Sequence, residues 1–373
     1  MKILFTCGGT AGHINPAVAL ARMFQQRHPG CEILFVGADG GMETRLVPKE
    51  GYPIRTVTIS SFYRSLNLNS LKHNLNTLRN LNRSKRQARA ILDEFRPDLV
   101  MGTGGYASFP VVNAAAKRGI PTAIHESNAL PGLTTKALAK VVDVVMVGFE
   151  ESRQHYADPE KVMVTGTPVR GDFFRLTREE ARAELGLTDD LPLVVSVWGS
   201  LGAAAMNRQM VDFLKLSAGQ NAPFHHIHGA GRNYNTVLTS LTEAGIDLKN
   251  HPRIDLREYI YDMPTVMAAA DVVLCRAGAS TIAEVTALGK PAILVPSPNV
   301  TADHQTKNAR VLEQAGGAIL LPESQCTPET LHRQVSDLLS DGVKRAGMAQ
   351  ALSKLSRLDA NERIFDTLSA LLP

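Results

Sequence analysis

The sequence predicts an α/β protein of two domains, each built on a parallel β-sheet with helices on both faces. Three observations predict it. Short apolar runs rich in branched residues alternate with segments of helical periodicity along most of the chain. Polar, glycine-bearing turns follow several of the apolar runs, as they do at the carboxyl edge of a parallel sheet. The length of 373 residues suits about two domains, each large enough for its own core.

Residues 2–6 read as a buried strand, and Ile14, Ala17, Val18, Ala21 and Phe24 then recur at helical spacing. The intervening CGGTAGH is therefore a strand-to-helix turn. Gly8, Gly9 and Gly12 let the backbone approach a ligand, and the helix that follows aims its unpaired N–H groups and positive dipole end at the same spot. An anion is favoured there. His13 stands at the mouth of the turn, where an imidazole titrating near neutral pH suits proton acceptance. The competing reading is tight packing alone. GGTAGH lacks the GxGxxG spacing of a dinucleotide fingerprint, and Val36 is followed by Gly37 rather than an acidic residue.

Strands at 32–36 and 53–59 flank a short helix at 42–50; further strands at 99–102, 122–125 and 143–147 alternate with helices at 107–117 and 132–140. GGTAGH, GTGGYAS (102–108) and HESNALPG (125–132) all fall at strand ends and share one rim. The interval 62–96 breaks the rhythm. Leu71, Leu75, Leu78 and Leu81 form an apolar stripe, Lys72, Arg79, Arg83 and Arg86 flank it, and Phe62, Tyr63, Leu66 and Leu68 lead into it. A peripheral anchor on an anionic membrane would need this pattern, and an ordinary amphipathic helix with a solvated face also has it.

Residues 162–165 followed by Gly166, Thr167 and Pro168 mark a composition break, which sets the domains at 1–165 and 166–344. A second βα series follows, with strands at 193–197, 225–228, 272–275 and 292–295 and a helix from Ala203. From 343 onward the pattern is helical. Leu352, Leu355, Ile364 and Leu368 could pack back, so 345–373 is assigned to the first domain.

Composition excludes several classes. A net charge of +4 is far from the basic stripe of a dedicated nucleic-acid binder. No apolar run is long enough to span a bilayer, and no signal-peptide pattern precedes the first strand, which predicts a soluble cytoplasmic protein. Cys7, Cys31, Cys275 and Cys326 are widely separated and suit reduced thiols, with no structural metal expected. His225, His226 and His228 share a strand, but no nearby acid or cysteine completes a ligand set, so a structural role is favoured.

The second half carries its own candidates. WGSLGA repeats the glycine turn opening a helix, where amides and the Ser200 hydroxyl could cradle phosphate. RAGASTIAE places Ala279, Ser280 and Thr281 at a helix start with Glu284 about a turn inside. That carboxylate could accept both ribose hydroxyls, or could serve a capping box with Ser280 or Thr281. Gln305 offers an amide to sugar hydroxyls or a helix cap, and Arg170 either a phosphate contact or a salt bridge between domains.

Taken together and in order, GGTAGHINP, GGYASFP, HESNALPGL, GTPVR, GSLGA, RAGASTIAE and TADHQTKNA resemble the MurG family over nearly the whole chain. These are the N-acetylglucosaminyltransferases that convert the lipid-linked muramoyl-pentapeptide precursor of peptidoglycan to its disaccharide form. The resemblance implies the glycosyltransferase-B fold, two Rossmann-like domains facing a cleft. UDP-GlcNAc would lie mainly in the C-terminal domain and the polyprenyl-diphospho-linked acceptor in the N-terminal one. It further implies metal-independent, inverting transfer to the C4 hydroxyl, with no cofactor. A peripheral place on the anionic cytoplasmic face of the bacterial inner membrane follows, beside other cell-wall synthesis and division proteins.

Carried onto this sequence, the resemblance puts Thr10, Ala11 and Gly12 on the first glycine loop and His13 at the base position. Gly104, Gly105 and Tyr106 fall on the acceptor side and Asn128 on the sugar side. Arg170 and Ser200 would meet the diphosphate, and Ile260 would hold uracil through its backbone. Ala279, Ser280, Thr281, Ile282, Ala283 and Glu284 would serve phosphate and ribose, and Gln305 the GlcNAc hydroxyls. In this context the segment with Leu71, Leu75, Leu78, Arg79, Arg83 and Arg86 reads as a membrane patch. The sequence departs from the family pattern at Ser127, Thr167 and Trp198; Trp198 replaces a loop glycine, which predicts altered loop geometry or affinity. Two other classes stay open: a UDP-sugar 2-epimerase, which needs no acceptor, and a catalytically silent UDP-sugar-binding partner.

Overall fold

The computed structural model describes residues 1–59, 68–199, 202–249 and 251–372, with the side chains of 68–79, 81 and 301 left aside. Phe62, Tyr63, Leu66 and Ser200 therefore lie outside the described residues, as do the side chains of Leu68, Leu71, Lys72, Leu75, Leu78, Arg79 and Leu81. The chain forms two compact units, Met1–Arg170 with Arg357–Pro373, and Gly171–Ser356.

In the first unit seven parallel strands alternate with helices. They are β1 (Lys2–Thr6), α1 (Ala11–Arg27), β2 (Glu32–Ala38), α2 (Glu43–Lys49), β3 (Ile54–Val57), α3 (Leu68–Phe95), β4 (Leu99–Gly102), α4 (Ser108–Ala116), β5 (Thr122–Glu126), α5 (Leu133–Leu138), β6 (Val144–Val147) and β7 (Val162–Val164). Their order is β3-β2-β1-β4-β5-β6-β7. Because side chains alternate across a pleated strand, Ile3, Phe5 and Cys7 enter one core and Leu4 the other. Burial on both faces explains why β1 and β4 read as unbroken apolar runs. The third strand is shorter than predicted and the second extends to Ala38.

The second unit holds α6 (Arg178–Glu184), β8 (Leu193–Val197), α7 (Ala204–Gly219), β9 (His225–Gly229), α8 (Tyr234–Glu243), β10 (Ile254–Arg257), α9 (Met263–Ala269), β11 (Val272–Cys275), α10 (Ala279–Ala287), β12 (Ala292–Leu294), α11 (His304–Gln314), β13 (Ala318–Leu320), α12 (Pro328–Ser340) and α13 (Gly342–Leu355). Its six parallel strands run β10-β9-β8-β11-β12-β13. The sequence reading had neither β10 nor β13, both short edge strands with weak patterns. In each sheet the strand order reverses direction once, between β1 and β4 and between β8 and β11, and ligands of such sheets bind at the carboxyl ends beside that point.

The C-terminal tail divides later than residue 345. Leu352 of α13 is fully buried and packs so closely on Gly317 that a Cβ there would stand 2.7 Å from its Cδ2, which keeps α13 in the second unit. The final helix α14 (Ala360–Ser369) returns to the first, where Phe365 meets Phe24 at a ring separation of 4.6 Å and Ile364 and Leu368 join the core. At this junction Gly166, with φ +84°, lets the chain pass Arg357 at a distance a Cβ would close to 2.5 Å. Asn361 adds a side-chain donor to the Val169 carbonyl at 2.9 Å.

Candidate functional site

The turn between β1 and α1 is fixed by groups on three neighbouring segments. Thr10 is the N-cap of α1 in extended conformation, and its side chain makes no capping bond to the helix start at Ala11 and Gly12. Gly9 takes φ +86°. His13, in the first turn, lies with Nδ1 2.8 Å from the Gly8 carbonyl oxygen. A carbonyl only accepts, so Nδ1 carries the proton in the neutral ring and Nε2 keeps its lone pair. Thr103 Oγ1 donates to the His13 carbonyl at 2.7 Å, tying the end of β4 to the same turn of α1.

The loop after β4 presses against this arrangement. Gly104 has φ +111°, and a Cβ on it would stand 2.7 Å from His13 Cδ2 and 2.9 Å from Nε2. A Cβ on Gly105 would run into the Gly8 carbonyl. Both glycines are required by close approach, and both sit against residues of the β1 loop. Tyr106, beside them, is 49% exposed.

Two buried carboxylates, neither singled out from the sequence, organise the rim. Glu43 is fully buried at the start of α2 and accepts from Gly9 N at 3.1 Å and Ala38 N at 2.7 Å. Glu126, at the end of β5, accepts from the backbone of Asn128 at 3.1 Å and of Gly132 at 3.0 Å, and from Thr135 Oγ1 at 2.7 Å. It also takes the Asn128 side-chain amide at 2.9 Å, so one function of Asn128 is to shape its own loop. Next to it, His125 is buried, bonds the Gly166 carbonyl through Nε2 at 2.8 Å and accepts from Ser127 Oγ at Nδ1 over 3.2 Å. Burial holds its pKa below the ordinary histidine value. Ser127, one of the family departures, thus completes a buried pair, while Thr167 packs its hydroxyl on the backbone of Gly148.

In the second unit, α10 begins at Gly278, which has no side-chain cap. Ala279, Ser280, Thr281 and Ile282 make its first turn, and Ser280 Oγ is buried without a partner among the described residues. Ala283 and Glu284 follow in the next turn. A capping box would need Glu284 three residues after the cap, and Gly278 is six before it, so the capping reading of Glu284 is set aside. Its charge joins burial in pushing the thiol of Cys275, at the end of β11, up to about 12. Arg276 braces this turn, donating to the carbonyls of Val295 and Pro296 at 3.0 and 3.1 Å and pairing with Glu323.

Gln305 accepts from Ser297 N at 2.9 Å, which binds the loop after β12 to α11 and assigns its amide NH₂ to other partners. It does not cap its own helix. Before it, Ala302 and Asp303 hold consecutive left-handed conformations, φ +55° and +52°, a strained entry to α11. Ile260, after β10, buries its side chain over Gly229. Arg170 ends the first unit and is half-buried.

Trp198 departs from the expected loop role. Its indole is 3% exposed and packs in the core with Val194, Met206 and Met210, so the side chain leaves the turn and only Gly199 and Gly202, at φ +89° and +70°, shape the described backbone there. Beneath the turn, Ser196 Oγ lies 2.8 Å from His226 Nε2 and 2.7 Å from His228 Nδ1. His228 Nε2 meets Asn207 Oδ1 at 3.1 Å, and Asn207 donates to the Ala230 carbonyl at 2.7 Å. Burial lowers His228 to about 4 and His226 well below its ordinary value. His225 turns to Asp189 at 2.8 Å. The three histidines are thus divided between a buried hydroxyl network and a surface carboxylate.

On the membrane question, Arg83 and Arg86 are exposed on α3, while Ser84, Ala88 and Leu92 face inward at spacings of four. Among the described residues no helix is long and apolar enough to cross a membrane.

Residues 3–147 match the glycosyltransferase family 28 N-terminal domain and residues 193–364 the corresponding C-terminal domain. Fold and match together define the class, a glycosyltransferase of the glycosyltransferase-B type with two parallel-sheet domains. The comparison narrows further with full-length relatives. A protein of Thermoanaerobacter sp. strain X514 is 43% identical over 371 residues, covering 100% of both chains, and one of Acetivibrio thermocellus is 40% identical over 373 residues, covering 100% of this chain and 98% of the relative. Both are named UDP-N-acetylglucosamine--N-acetylmuramyl-(pentapeptide) pyrophosphoryl-undecaprenol N-acetylglucosamine transferase. The crystal structure of Acinetobacter baumannii MurG superposes with a TM-score of 0.75 at 28% identity, covering 99% of each chain. The chain belongs to the MurG family.

Proposed function

We propose that the protein transfers GlcNAc from UDP-GlcNAc to the C4 hydroxyl of MurNAc in the polyprenyl-diphospho-linked muramoyl-pentapeptide, with inversion at the anomeric carbon. The observation that carries the chemistry is the His13 imidazole, held through Nδ1 by the Gly8 carbonyl with its Nε2 lone pair left for a substrate hydroxyl. The substrates are those in the names of relatives that match over their whole length.

Direct displacement needs a base, an in-line approach and a stabilised leaving group. As the C4 oxygen attacks the anomeric carbon, its proton passes to His13 Nε2. The bond from that carbon to the diphosphate breaks, and its electron pair leaves with UDP. The start of α10 and the side chains of Arg170 and Ser200 would offset the charge that develops on the diphosphate. Glu284 would take the ribose hydroxyls, the backbone of Ile260 the uracil, and the Gln305 amide the sugar. On the first unit, Thr10, Ala11, Gly12 and Asn128 would reach the donor's sugar side, and Gly104, Gly105 and Tyr106 would line the side where the acceptor enters. The polyprenyl tail must remain in lipid, so we assign the exposed Arg83 and Arg86 flank of α3 to the anionic cytoplasmic face of the cell membrane. There the protein would work beside other cell-wall synthesis and division proteins.

The test is transfer from radiolabelled UDP-GlcNAc to a synthetic lipid-linked muramoyl-pentapeptide in detergent, with EDTA present and an acceptor-free control. Labelled disaccharide lipid in EDTA supports the proposal. Donor binding without transfer overturns it. Turnover in the acceptor-free control then identifies an epimerase, and no turnover a silent UDP-sugar-binding protein. A His13→Ala protein with normal turnover would remove His13 from the base role, since loss of a general base costs roughly a hundredfold or more.

A further inference from the structure

Glu43 and His13 contact opposite ends of one peptide unit. The Gly8 carbonyl that receives His13 Nδ1–H at 2.8 Å and the Gly9 N–H that Glu43 accepts at 3.1 Å belong to the same amide. Carboxylate, peptide and imidazole therefore form a continuous chain of donors and acceptors. Charge on the carboxylate polarises the amide, makes the Gly8 oxygen a stronger acceptor, and strengthens its hold on the Nδ1 proton.

The carboxylate is built into this place. It is fully buried, and Gly8, Gly37 and Gly41 surround it so closely that a Cβ on any of them would collide with its side chain, at 2.6 Å in the case of Gly8. Its two oxygens are used separately, Oε1 by Ala38 N at the end of β2 and Oε2 by Gly9 N. The titratable neighbour across from it is Cys7 on β1, whose thiol is pushed up by burial and then by the Glu43 charge and so stays neutral. A buried carboxylate is costly unless its partners are fixed, and here both are backbone donors of the site itself.

We infer that Glu43 is a positioning residue for the base: through the Gly8–Gly9 peptide it fixes the His13 tautomer and stabilises the imidazolium that forms when Nε2 takes the acceptor proton. The inference rests on His13 being the base in the proposed transfer. It adds a role for a residue that touches no substrate.

The experiment is a double-mutant cycle of His13→Ala and Glu43→Gln in the transfer assay, with UDP binding measured by calorimetry and a pH profile of kcat/KM. Glu43→Gln keeps the shape, loses the charge and turns an amide donor toward one of the two N–H groups. It should lower kcat about tenfold, move the acidic limb of the profile to lower pH, and leave UDP affinity within twofold. In the His13→Ala background it should cost less than twofold. Glu43→Asp, which keeps the charge, should leave the acidic limb in place, and Glu43→Ala, which removes the charge without adding a donor, carries the comparison in both His13 backgrounds if the glutamine variant does not fold. An unmoved limb with equal losses in both His13 backgrounds would reduce Glu43 to a loop brace and overturn the inference. A parent protein without transfer activity would count against the proposed function instead.

Discussion

Gly104 stands against the His13 ring with no room for a side chain, a Cβ at that position falling 2.9 Å from Nε2. The residue that exposes the lone pair thus lies on the β4 loop, ninety-one residues from the one that carries it. Gly104→Ala would place a methyl over Nε2 and strain a backbone at φ +111°. The strain costs about 1–3 kcal/mol, a fall of several degrees in melting temperature. The transfer rate should drop at least about tenfold through the displaced or covered base. UDP binding, measured by calorimetry, should remain, because the donor is assigned to the other unit. A variant with parental kcat would show that Nε2 is not where the proton goes.

Acid should destabilise the second unit in a defined window. His228 has its folded pKa depressed to about 4, against about 6.5 when unfolded, so the unfolded chain binds more protons between those values. Stability is then fully present above about pH 6.5 and is lost as pH falls toward 4. His228 alone contributes a loss of about 2 kcal/mol between pH 7 and pH 5, buried His226 acts in the same direction, and buried His125 does so in the first unit. Urea unfolding at the two pH values should show the loss, and His228→Gln, which keeps a polar group without a titrating ring, should shrink it. Equal midpoints at pH 5 and pH 7 would contradict the burial.

The sheet architecture was legible because strands buried on both faces leave contiguous apolar runs, as in LVMG of β4 and VVLC of β11. Edge strands such as β10 and β13 face less of the core and left no such mark. The positions of Gly8, Gly9, Gly104 and His13 were visible as motifs, since glycine and histidine announce backbone approach and proton chemistry. Glu43 and Glu126 were not, because an acidic residue at a helix start or a strand end usually sits in water, and only long-range burial distinguishes these two. Trp198 shows that a side chain's direction is a tertiary property: by spacing it occupies a loop glycine's place, and in the fold its indole fills the core.

The membrane assignment rests on α3, where Arg83 and Arg86 project outward from a helix anchored by Ser84, Ala88 and Leu92. Each basic residue near an anionic surface contributes about 1 kcal/mol. Reversing both arginines to glutamate removes two attractions and adds two repulsions, which should weaken retention on vesicles with anionic lipid more than about tenfold. Activity on a detergent-solubilised acceptor should stay within about twofold, because neither side chain belongs to the assigned chemistry. Sedimentation with vesicles that is indifferent to the double reversal would return α3 to an ordinary solvated helix.

Restoring a family glycine at position 198 should harm this protein. Trp198 packs with Val194, Met206 and Met210, and a glycine would leave a cavity where the indole lay. Large-to-small changes of this size cost about 3–5 kcal/mol, and the added backbone freedom next to Gly199 works in the same direction. One term opposes them: the indole Nε1 is buried without a hydrogen-bond partner among the described residues, so its removal also relieves an unsatisfied donor worth about 1–3 kcal/mol. The sum remains a loss. Trp198→Gly should melt several degrees below the parent, and Trp198→Phe, which keeps most of the volume and drops the donor, should come close to it. A glycine variant as stable as the parent would mean that the core closes over the gap and that Trp198 serves the loop after all.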